Sequence, residues 1–134
     1  MIDRAFFDSN VLIYAIASGD SRRDRAHQLA AQGGVISVQV LNEFVAVARR
    51  KMRIPWADVI DARDAVRVLF PFPVAITIEM HEAALGIAQK YGLGIYDALI
   101  AAAALQAHCS TLYSEGLQDG QIINGKLTIR NPFL

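Results

Sequence analysis

Three short stretches place a carboxylate inside an apolar run: "FFDSNVLIY" with Asp8, "VLNEF" with Glu43, and "GIYDALIAAAAL" with Asp97. Carboxylates are rarely fully buried unless they are paired or hold a metal. Like charges brought together repel and raise one another's proton affinity. A divalent cation relieves that repulsion. With hard oxygen donors and no supporting Cys or His cluster, the fitting ions are Mg²⁺ or Mn²⁺ rather than zinc. Each acid also has an ordinary explanation. Asp8 could accept backbone N–H bonds at a turn, and Glu43 and Asp97 could sit favourably near helix N-termini, worth roughly 0.3–1 kcal/mol each. Glu115 and Asp119 add two more acids late in the chain.

The elements that must position these acids follow from pattern. Ala5-Phe6-Phe7 reads as a short buried strand, with Asn10 as the expected cap of a helix opening on "VLIYAIA". "SRRDRAHQLAAQ" (21–32) is a polar-faced helix closed by Gly33-Gly34. "VISV" (35–38) and "VAITI" (74–78) are expected strands. Apolar residues at 41, 44, 45, 48 and 52 give 39–52 a helical period, and 54–69 keeps it after Pro55. Helices follow over 79–92 and 95–108, then a strand at 110–114. Asn124-Gly125 lies between two β-prone runs and predicts a tight hairpin in 121–129. Alternating strands and helices imply a mainly parallel sheet between helices, an α/β protein. Ligands of such sheets bind beyond the carboxyl ends of the strands. Asp8 ends the first strand. Glu43 lies early in the helix after the second and leans back toward that helix's N-terminus. Asp97 is in the first turn of the Ala-rich helix, and Glu115 and Asp119 follow the fourth strand. The acids are therefore expected to converge on one edge of the sheet.

Composition agrees with that class. The 134 residues are 54% hydrophobic and 19% charged, which suits a single domain, 1–134, whose sheet is covered on both faces. The formal net charge of zero gives no global signature of a nucleic-acid binder, so any such binding must rest on a local patch. The lone Cys109 allows no internal disulfide. Asp3 and Arg4 without a long apolar run argue against a signal peptide, and Ala98–Leu105 is too short to span a bilayer. A soluble, cytoplasmic protein with no membrane partner is expected.

The three acidic stretches, in this order and spacing, closely resemble the motifs of PIN-domain proteins, and among them the VapC-type toxins of toxin–antitoxin pairs. "LYSEGLQDGQIINGKLTIRNPF" is similar to the C-terminal segment of one VapC-like subgroup, so the resemblance covers essentially the whole chain. It implies a three-layer α/β/α fold and Mg²⁺- or Mn²⁺-dependent cleavage of RNA. It also implies a homodimer and a small antitoxin, through which alone DNA would be contacted. Asp8, Glu43 and Asp97 carry over as the acidic metal centre, and Ser9, more weakly, as the hydroxyl beside the first acid. The family commonly has a fourth acid in a pattern like Ser-Glu-Asp-Leu. Here the run is Ser114-Glu115-Gly116-Leu117, so the Asp is replaced by Gly116. Asp119, and after it Glu115, are the expected replacements.

Other features are weaker. Arg49, Arg50, Lys51 and Arg53 form a local basic run that could hold an RNA backbone, or simply solvate a helix end. His27, His81 and His108 show no metal spacing. Cys109 reads as a buried small hydrophobe, and Phe44 and Trp56 as core or dimer-interface residues. Val47, Ile54 and Trp56 are the expected dimer contacts. No Gly-rich phosphate loop is present. Two rival classes remain open. One is another Mg²⁺ phosphohydrolase, though haloacid-dehalogenase-type enzymes usually carry a second Asp where Asn10 stands here. The other is a catalytically weak or silent protein of the same fold that mainly binds its antitoxin.

Overall fold

The computed structural model describes residues 4–134. The elements run β1 (Ala5–Phe7), α1 (Ser9–Ile16), α2 (Arg23–Ala31), α3 (Val38–Arg50), α4 (Trp56–Leu69), α5 (Ile78–Tyr91), α6 (Ile95–Gln106), β2 (Thr111–Tyr113), β3 (Ile122–Ile123) and β4 (Leu127–Arg130). The sheet order is β1-β2-β4-β3, with β1, β2 and β4 parallel and β3 antiparallel to β4. Phe6 and Phe7 face opposite sides of β1 and are both buried, which requires cover on both faces. The fold is a three-layer α/β/α sandwich. Helix α6 packs on β2, β4, α3 and α5, so its run Ala98–Ala104 is buried on every side. Small alanines let those neighbours approach it closely. Among the described residues, no helix is long and apolar enough to cross a membrane.

Two expected strands contract to isolated bridges. Val35 pairs with Phe6, and Ser37 with Val74. Each run is cut short by a helix cap. Ser37 Oγ accepts from Val40 N (3.3 Å) and starts α3 at Val38, while Thr77 Oγ1 accepts from Met80 N (3.1 Å) and starts α5 at Ile78. The approach of Val35 to β1 depends on Gly34, where a Cβ would lie 2.6 Å from the Ala5 carbonyl oxygen and 2.8 Å from the Phe7 ring. The expected hairpin is present: Asn124 and Gly125 both have positive φ (52° and 67°), and Lys126 N donates to Ile123 O (3.1 Å).

The cap of α1 is Asp8, not Asn10. Asp8 is extended and its Oδ1 accepts from Ser9 N at 2.7 Å, so the helix begins at Ser9 and Asn10 falls in its first turn. Cys109 is buried, and that burial pushes its thiol up to about 11. Phe44 is wholly in the core, whereas Trp56 is 55% exposed beneath the Arg49 guanidinium. Val47 and Ile54 are half-buried.

Candidate acidic active site

The carboxyl ends of β1 and β2 meet where Asp8 N donates to Tyr113 O (2.9 Å), which sets Asp8 beside Ser114. Four polar or charged residues are buried among those described, and three of them, Asp8, Ser9 and Ser114, stand here. Such groups survive burial only when hydrogen-bonded. Asp8 Oδ2 accepts from Ser114 Oγ (2.8 Å), whose oxygen lies 3.4 Å from the donating Asn10 Nδ2. Asn10 Oδ1 in turn accepts from Glu115 N (3.2 Å). The first helical turn and the end of β2 are thus tied into one network around Asp8.

Glu43 joins from α3, which packs on both α1 and α6. Its Oε1 accepts from Ser9 Oγ (3.3 Å) and its Oε2 from Gln39 Nε2 (3.0 Å), one helical turn back. Ser9 therefore links two of the three acids, through its amide to Asp8 and its hydroxyl to Glu43. Asp97, in the first turn of α6, opens to solvent, and no hydrogen bond among the described residues ties its carboxylate.

All three acids hold their protons more tightly than usual. For Asp8 the chief cause is burial, with the Asp97 charge adding to it and the Ser114 and Ser9 hydrogen bonds opposing it. For Glu43 it is again burial first, then the charges of Asp8 and Asp97. For Asp97 it is the packing behind it. The Asp97 charge thus adds to the shifts of Asp8 and Glu43, whereas the shift of Asp97 itself comes from burial alone. Among the described residues, no three Asp, Glu, His or Cys side chains are grouped closely enough to hold a metal ion as they stand. The donors nonetheless fit a hard divalent cation. They are all oxygens, their charges repel, and each hydrogen-bonded carboxylate oxygen keeps a further lone pair.

The two expected replacements for a fourth acid point elsewhere. Asp119 is exposed and its Oδ1 caps Asn131 N (2.7 Å). Glu115 turns to the Tyr14 hydroxyl and to Arg22 NH1 (3.2 Å). Arg22 also grips Asp20 through two bonds of 2.9 Å and lies 3.9 Å over the Tyr14 ring. The backbone at Gly116 does bring position 116 toward the site, since a Cβ there would lie 3.4 Å from Asn10 Nδ2. In the basic run, Arg49 is taken by Ile54 O (2.9 Å) and the Trp56 ring, while Arg50 borders a groove that contains Glu43, and Lys51 is exposed. Asn10, Gln39 and Ser114 were not legible as site residues, because each acts through a partner the fold supplies.

The PIN domain family model matches residues 5–117. The chain belongs to the PIN domain family. Its fold is shared with a toxin–antitoxin complex from Klebsiella pneumoniae, at 24% identity, TM-score 0.71, and coverage of 96% of this chain and 97% of that one. VapC20 of Mycobacterium tuberculosis, a toxin that cleaves the sarcin–ricin loop, matches at 20% identity and TM-score 0.67 over 82% and 88% of the two chains. VapBC2 of Rickettsia felis, bound to a DNA fragment from its promoter, matches at 18% identity and TM-score 0.65 over 95% and 98%. No curated protein matches the sequence.

Proposed function

We propose that this PIN domain is a metal-dependent endoribonuclease, the toxin of a toxin–antitoxin pair. The observation that carries the reading is the Asp8–Ser9–Glu43 linkage with Asp97 within electrostatic reach at the carboxyl edge of a PIN sheet. Asp8, Glu43 and Asp97 would hold Mg²⁺ or Mn²⁺. When bound, such an ion neutralises phosphate charge and lowers the pKa of a bound water. The protein's part is positioning. Ser114 and the Ser9 amide fix both oxygens of Asp8, and the Ser9 hydroxyl and Gln39 fix Glu43. Asp97, untied, is the ligand able to turn onto the ion.

The neighbours' toxin–antitoxin character supports a cognate antitoxin as protein partner, with DNA reached only through it. A homodimer through Val47, Ile54 and Trp56 of the α3–α4 region accounts for a half-exposed Trp, and sedimentation at micromolar concentration should show it. We place the protein in the cytoplasm as a single domain. Purified protein should cut RNA at few sites in Mg²⁺, EDTA should stop it, and Asp8→Ala should abolish it. Expression without antitoxin should slow growth, relieved by the same substitution. Cleavage by Asp8→Ala at the wild-type rate would overturn the reading. Gly116, with Glu115 and Asp119 both turned away, favours one rival: a silent domain that only grips its antitoxin. That rival predicts no Mg²⁺-dependent cleavage by the wild type.

A further inference from the structure

A groove of about 520 Å³ runs from Glu43 along the exposed stripe of α3, lined by Gln39, Asn42, Glu43, Ala46, Arg50 and Tyr96. The α3 residues recur at helical spacing, so they form one stripe. Ala46 leaves its floor open. Arg50 stands seven residues beyond Glu43, ~10 Å along the axis at 1.5 Å per residue. It is exposed, and no carboxylate among the described residues pairs with it. The opposite wall is Tyr96, 65% exposed and adjacent in sequence to Asp97. A large ring held in water beside a carboxylate centre does little for the core.

Resting on the ribonuclease reading above, we infer that this groove is the track for the single-stranded segment flanking the cleaved bond. Tyr96 is its base-stacking platform, Arg50 its phosphate contact and Asn42 its base-edge contact. Unstacked bases are recognised by aromatic faces and by amides at their edges, and the backbone by a cation. Continuity with Glu43 selects nucleic acid as the occupant, because whatever fills the groove abuts the reacting phosphate. Neither the acidic motifs nor the basic run singles out Tyr96.

The test uses the purified full chain and a short fluorescein-labelled single-stranded RNA of mixed sequence. Binding is read by anisotropy in EDTA, where cleavage is off, and cleavage kinetics are read in Mg²⁺. Tyr96→Ala should weaken binding roughly 5- to 150-fold, the worth of one stacked base. KM should rise with kcat changed less than about twofold, the pattern of lost uniform binding. Tyr96→Phe should restore both. Arg50→Gln should reduce the slope of log affinity against log salt by about 0.7, one phosphate contact on a single strand. Lys90→Gln, on α5, should change nothing. If wild type binds and cleaves but Tyr96→Ala and Arg50→Gln match it, the groove serves another ligand and this inference is overturned while the ribonuclease reading stands. If wild type neither binds nor cleaves RNA, both fall.

Discussion

Asp8→Asn separates a metal ligand from a structural cap. The substitution keeps shape and removes charge. Its cost is that the bond from Ser9 N (2.7 Å) becomes a neutral one, and the Ser114 Oγ bond (2.8 Å) becomes neutral and reverses, because one carboxylate oxygen gives way to an NH2 that can only donate. Charged hydrogen bonds exceed neutral ones by about 1 kcal/mol each, so ~2 kcal/mol is at stake. Against this stand the burial of the charge and its repulsion by Asp97, and the raised proton affinity of Asp8 gives the sign of the sum: the ionised form is the disfavoured one in the fold. A folded pKa above the unfolded 3.8 means that the native state binds more protons. Any stability that Asp8 lends is thus fully present below the unfolded pKa and is lost as pH rises through the folded one. Urea unfolding followed by far-ultraviolet circular dichroism in EDTA at pH 7 should therefore show Asp8→Asn no less stable than wild type. At pH 3, where Asp8 is protonated, the two should coincide. Added Mg²⁺ should stabilise only the wild type, by about 1.4 kcal/mol at tenfold the dissociation constant. A loss of ~2 kcal/mol in EDTA at pH 7, about 8 °C in Tm at ~4 °C per kcal/mol, would make Asp8 chiefly a cap.

Gly116→Asp should fit, because its Cβ would make an ordinary contact with Asn10 Nδ2 and its backbone is outside the left-handed region. It should lower the Mg²⁺ concentration for half-maximal cleavage severalfold and lower Tm in EDTA, and no change in either would place position 116 outside the centre. Asp119→Asn should leave the Mg²⁺ dependence of cleavage unaltered, since its carboxylate caps Asn131 N; a shift would show that the C-terminal loop rearranges onto the site. Gly34→Ala should cost about 1–3 kcal/mol in urea unfolding, because its methyl would press on the Ala5 carbonyl and the Phe7 ring.

What was legible in the sequence was local. The three acids could be placed at element junctions because each interrupts an apolar run, and helical periods placed α3 to α6 within a few residues. Asn124-Gly125 specifies its turn by backbone sterics alone. What was not legible depends on distant partners or on competition between neighbours. Asn10 is a good cap by type, but Asp8, two residues earlier, takes the helix start. Apolar runs at 35–38 and 74–78 look like strands until Ser37 and Thr77 claim their ends as caps. Glu115 is drawn off by Arg22, 93 residues away in the chain, and Asp119 by Asn131. No spacing rule carries those pairings. Trp56 lies outside the core, with the Arg49 guanidinium 4.7 Å over its ring.

If Asp8, Glu43 and Asp97 act as one metal centre that cleaves RNA, removing the Asp97 charge must impair both metal use and cleavage. The most direct measurement is single-turnover cleavage of end-labelled RNA across a Mg²⁺ titration for wild type and Asp97→Asn. Asp97 opens to solvent and no hydrogen bond among the described residues holds its carboxylate, so the variant should fold normally. Wild type should cleave in Mg²⁺, and EDTA should abolish the cleavage. Asp97→Asn should react at least ~10²-fold more slowly, comparable to removing one preorganised electrostatic group, with half-saturation moved to higher Mg²⁺. Equal rates and equal Mg²⁺ dependence in the two proteins would show that Asp97 is no part of a metal centre.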